Sequence, residues 1–281
     1  MIHGLIFSKN RPMQLDLLLR SIKDHIPDLK KITVLYKEDE EYHAGYFKVF
    51  TKTWENFDLF HMEKEVNGNE FQSMVTDIVD SITEPNIVIF ADDDVVINHV
   101  DLKKIISYRK PWHASISLSL GENCNYCYAQ GYSQEIPKFK YLEDGTIIQW
   151  CWAFATPKTD WSYPMTFDGG IYKTDSFKKK IHAISFNSLN YMNGYMDMTK
   201  NWGKTYELAF KEQKVYNVAA NLVQTVNNNR HAEKFSYPAR ELNEKFLKGY
   251  EIDTTNLYGQ IFNSPNGEVE YLFRKNTKIK K

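Results

Sequence analysis

Glu84-Pro85-Asn86-Ile87-Val88-Ile89-Phe90-Ala91-Asp92-Asp93-Asp94 is the stretch on which the fold turns. Glu84-Pro85-Asn86 breaks the preceding pattern, and Ile87 to Phe90 then form a continuous apolar run. A strand that is apolar on both faces belongs inside a parallel sheet covered by helices. The three aspartates follow at once, so they stand at its carboxyl end, where open α/β sheets bind ligands. Adjacent carboxylates repel one another, and burying an uncompensated one is costly, so the cluster asks for a cation or for full exposure. Oxygen ligands of this hardness suit Mg²⁺ or Mn²⁺, which share carboxylates with substrate phosphates. The same residues also fit an exposed acidic turn capping the next helix.

Upstream, Phe71, Met74, Val75, Ile78, Val79 and Ile82 form a helical stripe. At the start of the chain, Ile2 to Phe7 is a short apolar run, Ser8-Lys9-Asn10-Arg11-Pro12 reads as a strand-to-helix loop, and Leu15, Leu18, Leu19, Ile22 and Ile26 mark one helix face. Strands are expected at Ile32–Tyr36 and around Phe57–Met62, which continues the βα alternation. Downstream, a helix is expected around Asp101–Tyr108, then shorter strands at Ala114–Leu118 and Ile147–Ala155 and a strand pair around Val215–Val226. Helices around Asp175–Ile184, Tyr191–Trp202 and Ala239–Lys248 complete the pattern, with no repeats or low-complexity linker.

The chain has 281 residues, 42% hydrophobic and 15% aromatic, enough for one domain with two lobes sharing a core. Its 35 basic and 36 acidic side chains leave a net charge of −1, so no global positive field exists to hold a nucleic-acid backbone, and no such polymer is expected as a partner. Three cysteines, Cys124, Cys127 and Cys151, cannot close a disulfide framework, and the lone Cys124-Asn125-Tyr126-Cys127 lacks the second pair of a zinc site. With no leader-like start and no apolar run near the ~20 residues that span a bilayer, we expect a cytoplasmic protein. The basic tail, with Arg274, Lys275, Lys278, Lys280 and Lys281, is either a solvated end or a peripheral contact at the inner membrane face.

FSKNRP after the first strand and IVIFADDDVV together resemble the opening and the Asp-x-Asp motif of GT-A glycosyltransferases, in particular the bacterial polysaccharide enzymes of family 2. The resemblance covers about the first 110 residues. It implies a Rossmann-like, mostly parallel α/β sheet flanked by helices, with a smaller acceptor-side lobe. Residues 1–110 would then bind the nucleotide-sugar, 111–235 face the acceptor, and 236–281 supply a C-terminal helix and the basic tail. The implied chemistry is transfer of a sugar from a nucleoside-diphosphate-sugar, UDP favoured, to a glycan or lipid-linked glycan. Metal neutralisation of the leaving diphosphate would assist it.

By the same resemblance, Asp92 faces the ribose and metal-bound water, Asp94 ligates Mn²⁺ or Mg²⁺, and Asp93 is supportive or points away. His231, in Asn227-Asn228-Asn229-Arg230-His231, is the candidate additional metal ligand, and equally an ordinary exposed histidine. Arg11 is a candidate phosphate contact or a surface salt-bridge partner. Glu38 or Asp39 occupies the region that contacts the base, unless the acidic run is a solvated turn. The segment YPMTFDGGIYKTDSF resembles an acceptor-side strand, which marks Asp168, Gly169 and Gly170. Trp150, Trp152 and Phe154 alternate with small residues, so they point to one strand face that either stacks on sugar rings or belongs to the core.

For an inverting enzyme, the resemblance implies a base at the start of the helix in NSLNYMNGYMD, where Asn190 and Asn193 stand instead of an acid. Asp197 and Asp168 are the remaining candidates, unless the mechanism is retaining or the activity is lost. Two other functions fit the same fold: a nucleotidyltransferase, against which the glycine-free FSKNRP loop speaks, and a non-catalytic carbohydrate-binding protein.

Overall fold

The structure is a computed structural model and describes residues 1–65, 70–224 and 230–276. The chain opens with β1 (Ile2–Lys9), α1 (Pro12–His25), β2 (Lys31–Lys37), α2 (His43–Thr51), β3 (Leu59–Lys64) and α3 (Phe71–Ser81), then reaches the apolar run as β4 (Asn86–Ala91). Pro12 costs α1 no hydrogen bond, because the first N–H groups of a helix have no intrahelical acceptor. Side chains alternate across the central strands. Ile6, Val88 and Phe90 pack in one core with Leu15, Leu18 and Ile22 of α1. Leu5, Phe7, Ile87 and Ile89 pack in another with Val75, Ile78 and Val79 of α3. Each such side chain contributes about 1.5–3 kcal/mol on burial, so β1 and β4 are anchored from both faces.

β2 and β3 lie on one side of β1 and β4 on the other, all parallel. The strand order therefore reverses at β1, and the crevice beyond the carboxyl ends of β1 and β4 is the switch point at which such sheets take ligands. Helix α2 escaped the sequence reading because its stripe is weak: Tyr46 and Val49 are buried while Phe47 and Phe50 are exposed.

After β4 come β5 (Asp94–Val96), α4 (Leu102–Ser107), β6 (His113–Ser117), β7 (Tyr126–Cys127), β8 (Tyr132–Ser133), β9 (Lys140–Leu142) and β10 (Ile147–Cys151). They are followed by β11 (Gly170–Lys173), α5 (Thr174–Ala183), α6 (Leu189–Met198), β12 (Tyr206–Phe210) and β13 (Val215–Val218). The chain closes with α7 (Ala239–Leu247), β14 (Tyr250–Ile252), β15 (Asn266–Gly267) and β16 (Phe273–Lys275). The nine-stranded sheet has the order β3-β2-β1-β4-β11-β6-β12-β10-β9, and every strand but β10 and β11 runs the same way. This is the mostly parallel, helix-flanked α/β sheet expected. A small sheet, β15-β13-β5, stands apart from it, and α7 packs on α1 and α2.

Three expectations change. The strand expected over Ile147–Ala155 ends at Cys151 and turns into a short 3-10 helix at Trp152–Phe154, so the three aromatics share no strand face. Only β13 forms in the stretch Val215–Val226, whose last two residues, with Asn227 to Asn229, lie outside the described residues, as do Lys278, Lys280 and Lys281 of the tail. Helix α6 begins earlier, at Leu189, where the Ser188 hydroxyl accepts a hydrogen bond from the Tyr191 N–H. No helix among the described residues is long and apolar enough to cross a membrane.

Candidate active site

A cleft of about 430 Å³ opens at the switch point, and Arg11, Asp92, Asp93, Asp168 and His231 all line it. Its first wall is the loop after β1. Asn10 adopts a left-handed backbone (φ 55°), a conformation that asparagine tolerates better than most residues. Its side chain is fixed by Asp39: Asn10 Nδ2 donates to Asp39 Oδ2 (2.7 Å) and Asn10 Oδ1 accepts from the Asp39 N–H (2.8 Å). Asp39 is thus exposed, sits outside the cleft lining, and holds the β1 loop in place rather than a base. Glu38 is likewise occupied, accepting from Lys64 (2.9 Å) and pairing with His43.

Arg11 is buried. Its Nη1 bridges Asp92 Oδ1 (2.9 Å) and Asp93 Oδ2 (2.7 Å), while Nε donates to Asn221 Oδ1 (2.7 Å). Burial alone would lower its pKa, but Asp93 and Asp92 outweigh that and hold the guanidinium well above its usual range. Arg11 is therefore the internal counter-ion of the aspartate cluster, a role its position in the sequence did not reveal.

The three aspartates divide between two elements. Asp92 caps β4 from beneath: its Oδ2 accepts from Ser8 Oγ (2.9 Å) and the Lys9 N–H (2.8 Å), and burial pushes it up to about 6 against the pull of Arg11. Asp93 reaches the cleft, with 16% side-chain exposure. Asp94 is the first residue of β5 and is fully buried; it accepts from the Ala91 N–H and from Asn217 Nδ2, both at 2.9 Å. The cleft-facing place expected for Asp94 is therefore held by Asp93, because the chain turns at residues 92–93 to start a second sheet. Asn217 Nδ2 also donates to Asp93 Oδ1 (2.9 Å), so one amide ties the two carboxylates together.

β11 runs antiparallel beside β4, with Gly170 opposite Ile89, and this brings Asp168 to the carboxyl end of β4. Burial raises Asp168 to about 7, with Asp93 and Asp160 adding to the shift. Burial, then Asp168 and Asp93, keep Asp94 well above the carboxylate range. Gly169 and Gly170 serve packing, not a ligand. Gly169 has φ +73°, and a Cβ on Gly170 would lie 2.2 Å from the Thr166 carbonyl oxygen.

The remaining candidates stand away from the cleft. Asp197 shares the α6 face of Asn190 and Asn193 but stands a further turn, about 6 Å along the axis, beyond Asn193, is not among the cleft-lining residues, and pairs with Lys200 (2.8 Å). Trp150 and Trp152 are core side chains whose indole N–H groups are spent on the carbonyls of Trp161 (3.1 Å) and Lys204 (2.9 Å). Composition alone could not tell a buried indole from one facing a sugar.

Other lining residues carried no sequence signal: the apolar Phe7, Leu35 and Phe71, and the Lys37–Glu65 ion pair (2.7 Å). Asn190 and Asn193 also line the cleft, and Asn190 Nδ2 and Asn193 Oδ1 are buried without a hydrogen-bond partner. Asp92 and Asp93 thus share one guanidinium, with Asp94 and Asp168 close enough to raise one another's proton affinity, and a divalent cation at Asp93 would relieve that crowding. No set of three His, Cys, Asp or Glu side chains among the described residues could hold a metal by itself.

No protein-family model matches the chain, and no curated protein matches it. Among solved structures it is similar to S. aureus TarS 1-349, at 15% identity and a TM-score of 0.48, covering 78% of this chain and 61% of that one. It is also similar to the same protein in complex with UDP-GlcNAc, at 14% identity and a TM-score of 0.45, covering 84% of this chain and 62% of that one. The chain thus spans less than two thirds of the structures it matches. Likeness at this level leaves substrate and activity to be argued from the chain's own residues.

Proposed function

We propose that the chain is a glycosyltransferase, moving a sugar from a nucleoside-diphosphate-sugar, with UDP-sugars favoured, to a glycan or lipid-linked glycan acceptor. The observation that supports this most is the convergence of Asp92, Asp93 and Asp168 at the switch point, from segments more than 70 residues apart, with Arg11 pairing the first two. Phe7, Leu35 and Phe71 offer a flat base an apolar wall, and the Lys37–Glu65 pair offers its edge a donor and an acceptor.

In this reading the acceptor hydroxyl oxygen bonds to the anomeric carbon as the bond from that carbon to the diphosphate oxygen breaks. The hydroxyl proton passes to Asp168. A carboxylate held near 7 is suited to that transfer at neutral pH, because its proton affinity is close to the ambient poise. A divalent cation, when bound, would supply charge neutralisation for the leaving diphosphate. Asp93 and His231 would hold it, with Asp92 beside them. Arg11 keeps Asp92 and Asp93 in place, and Asn190 and Asn193 add polar side chains to the cleft wall.

Thermal unfolding with UDP, GDP, CDP and dTDP, each with Mn²⁺ and then with EDTA, tests this without an acceptor. A ligand at ~100 times its dissociation constant adds ~2.7 kcal/mol, enough to raise the midpoint by several degrees. We expect one nucleotide, UDP, to stand out and its shift to collapse in EDTA. Release of UDP from UDP-GlcNAc is the first turnover assay to follow. No shift with any nucleotide at saturation would favour a non-catalytic binding protein, and equal shifts with and without metal would remove the cation from the site.

A further inference from the structure

A second cavity, of about 340 Å³, lies at the opposite end of the same strands. Lys173 of β11 pairs with Asn86, the first residue of β4, whereas Gly170 pairs with Ile89 near the cleft. At ~3.3 Å per residue the five steps from Asn86 to Ala91 separate the two sites by about 16 Å along the strands.

The lining of this cavity is lopsided in charge. Arg109, Lys173, Lys179, Lys180 and Lys204 face it, and no carboxylate does among the described residues. Lys180 leans on the Thr199 carbonyl (2.6 Å) and feels Asp197. The other four form no ion pair among the described residues. Arg109 is the most constrained: it donates to Asn86 Oδ1 (2.8 Å) and the Ile171 carbonyl (2.5 Å), two neutral acceptors, and its buried Nε has no partner. A half-buried guanidinium without an opposing charge is costly, and the lysines around it add repulsion. Partial burial, then Lys173, Arg109 and Lys179, lower the Lys204 ammonium below its usual range, and burial brings Arg109 down to about 10. The rest of the wall is apolar, from Met165, Tyr172 and Phe177. A cavity of this size accepts a small organic molecule.

We propose that this cavity is a binding site for a small organic phosphate, its phosphate head held by Arg109, Lys173 and Lys204 and its apolar body resting on Met165 and Phe177. Planar guanidinium donors and flanking ammonium groups are the usual partners of a phosphate dianion. The site stands independently of the activity assigned to the cleft, since no lining residue is shared.

Thermal unfolding at fixed ionic strength tests it, with inorganic phosphate and phenyl phosphate as probes. The proteins are wild type, the double variant Lys173→Gln/Lys204→Gln, and the cleft variant Asp93→Asn. Phosphate is expected to raise the midpoint of wild type and Asp93→Asn by a few degrees, and phenyl phosphate by more. The double variant should lose at least two thirds of both shifts, keep its response to UDP with Mn²⁺, and in phosphate-free buffer be no less stable than wild type. Equal shifts in wild type and the double variant, or an equal shift from sodium chloride, would overturn the site. So would a double variant destabilised to the same extent with and without phosphate, because its lysines would then be structural. A phenyl phosphate shift no larger than that of phosphate would remove the organic body from the assignment.

Discussion

The two ends of β4 and β11 carry opposite charge. At the carboxyl end of β4, Asp92 and Asp93 share Arg11 beside Asp94 and Asp168, while at its amino end five cations and, among the described residues, no acid line a cavity. The acidic end is held by a dense hydrogen-bond network, in which Ser8, Lys9, Ala91, Asn217 and Arg11 fix the aspartate oxygens. The basic end has no such network, and only Arg109 is tied to the sheet. A carboxylate pinned by several donors has a fixed geometry, as a reacting centre needs. Lysines around an apolar wall supply attraction without that order. The comparison sets an ordered acidic cluster against a loosely tied basic one.

The sharpest way to break the contrast is to neutralise the acidic end where it would react. Asp168→Asn is expected to lower transfer by ~10²–10⁴-fold, the range for a positioned base, while the thermal shift with UDP and Mn²⁺ persists. Asp197→Asn, away from the cleft, should stay within about threefold of wild type on that scale. Comparable losses in the two variants would take the base away from Asp168.

Arg11→Met tests whether the network depends on its one cation. Removing one partner of a buried ion pair leaves the other charge uncompensated and costs about 3–5 kcal/mol. Urea unfolding near pH 7.5 should show a loss of that order, partly restored by Mn²⁺ if the cation takes over the neutralisation. A loss under about 1 kcal/mol, the range of an exposed pair, would mean that Arg11 is no counter-ion.

A smaller effect is expected at Glu207 of β12, which belongs to neither end. It is buried, among the described residues accepts only from Ser115 (2.7 Å), and burial raises it to about 8. The folded state therefore holds this proton more tightly than the unfolded chain, whose glutamates titrate near ~4.3. The stabilisation is complete below about pH 4 and is lost as the pH rises through about 8. Glu207→Gln removes the titration and leaves a neutral amide, so it should flatten the fall in unfolding midpoint between pH 5 and pH 9 and exceed wild type at the upper end. An unchanged slope would show that Glu207 does not titrate in this range.

The first half of the fold was legible because it is local. The apolar run at Ile87–Phe90 and the stripes of α1 and α3 each state their own element and face within about a dozen residues. The aspartates at the end of β4 follow from that placement alone. Asp168 was marked by a family-like segment, but only the antiparallel pairing of β11 with β4 shows that it meets Asp93, 75 residues upstream.

What the sequence by itself determined is the α/β class, the order of the parallel strands' elements and the acidic mouth, since periodicity and burial pattern are properties of short segments. What only the tertiary structure decided is which aspartate faces the cleft, that Arg11 is an internal counter-ion, that Trp150, Trp152, Gly169 and Gly170 serve packing, and that dispersed lysines meet Arg109 around one cavity. Each of these depends on contacts between segments far apart in the chain, such as Arg11 with Asn221 and Asp94 with Asn217. Electrostatic partners and burial are set by distance in space, and residue type carries no record of that distance.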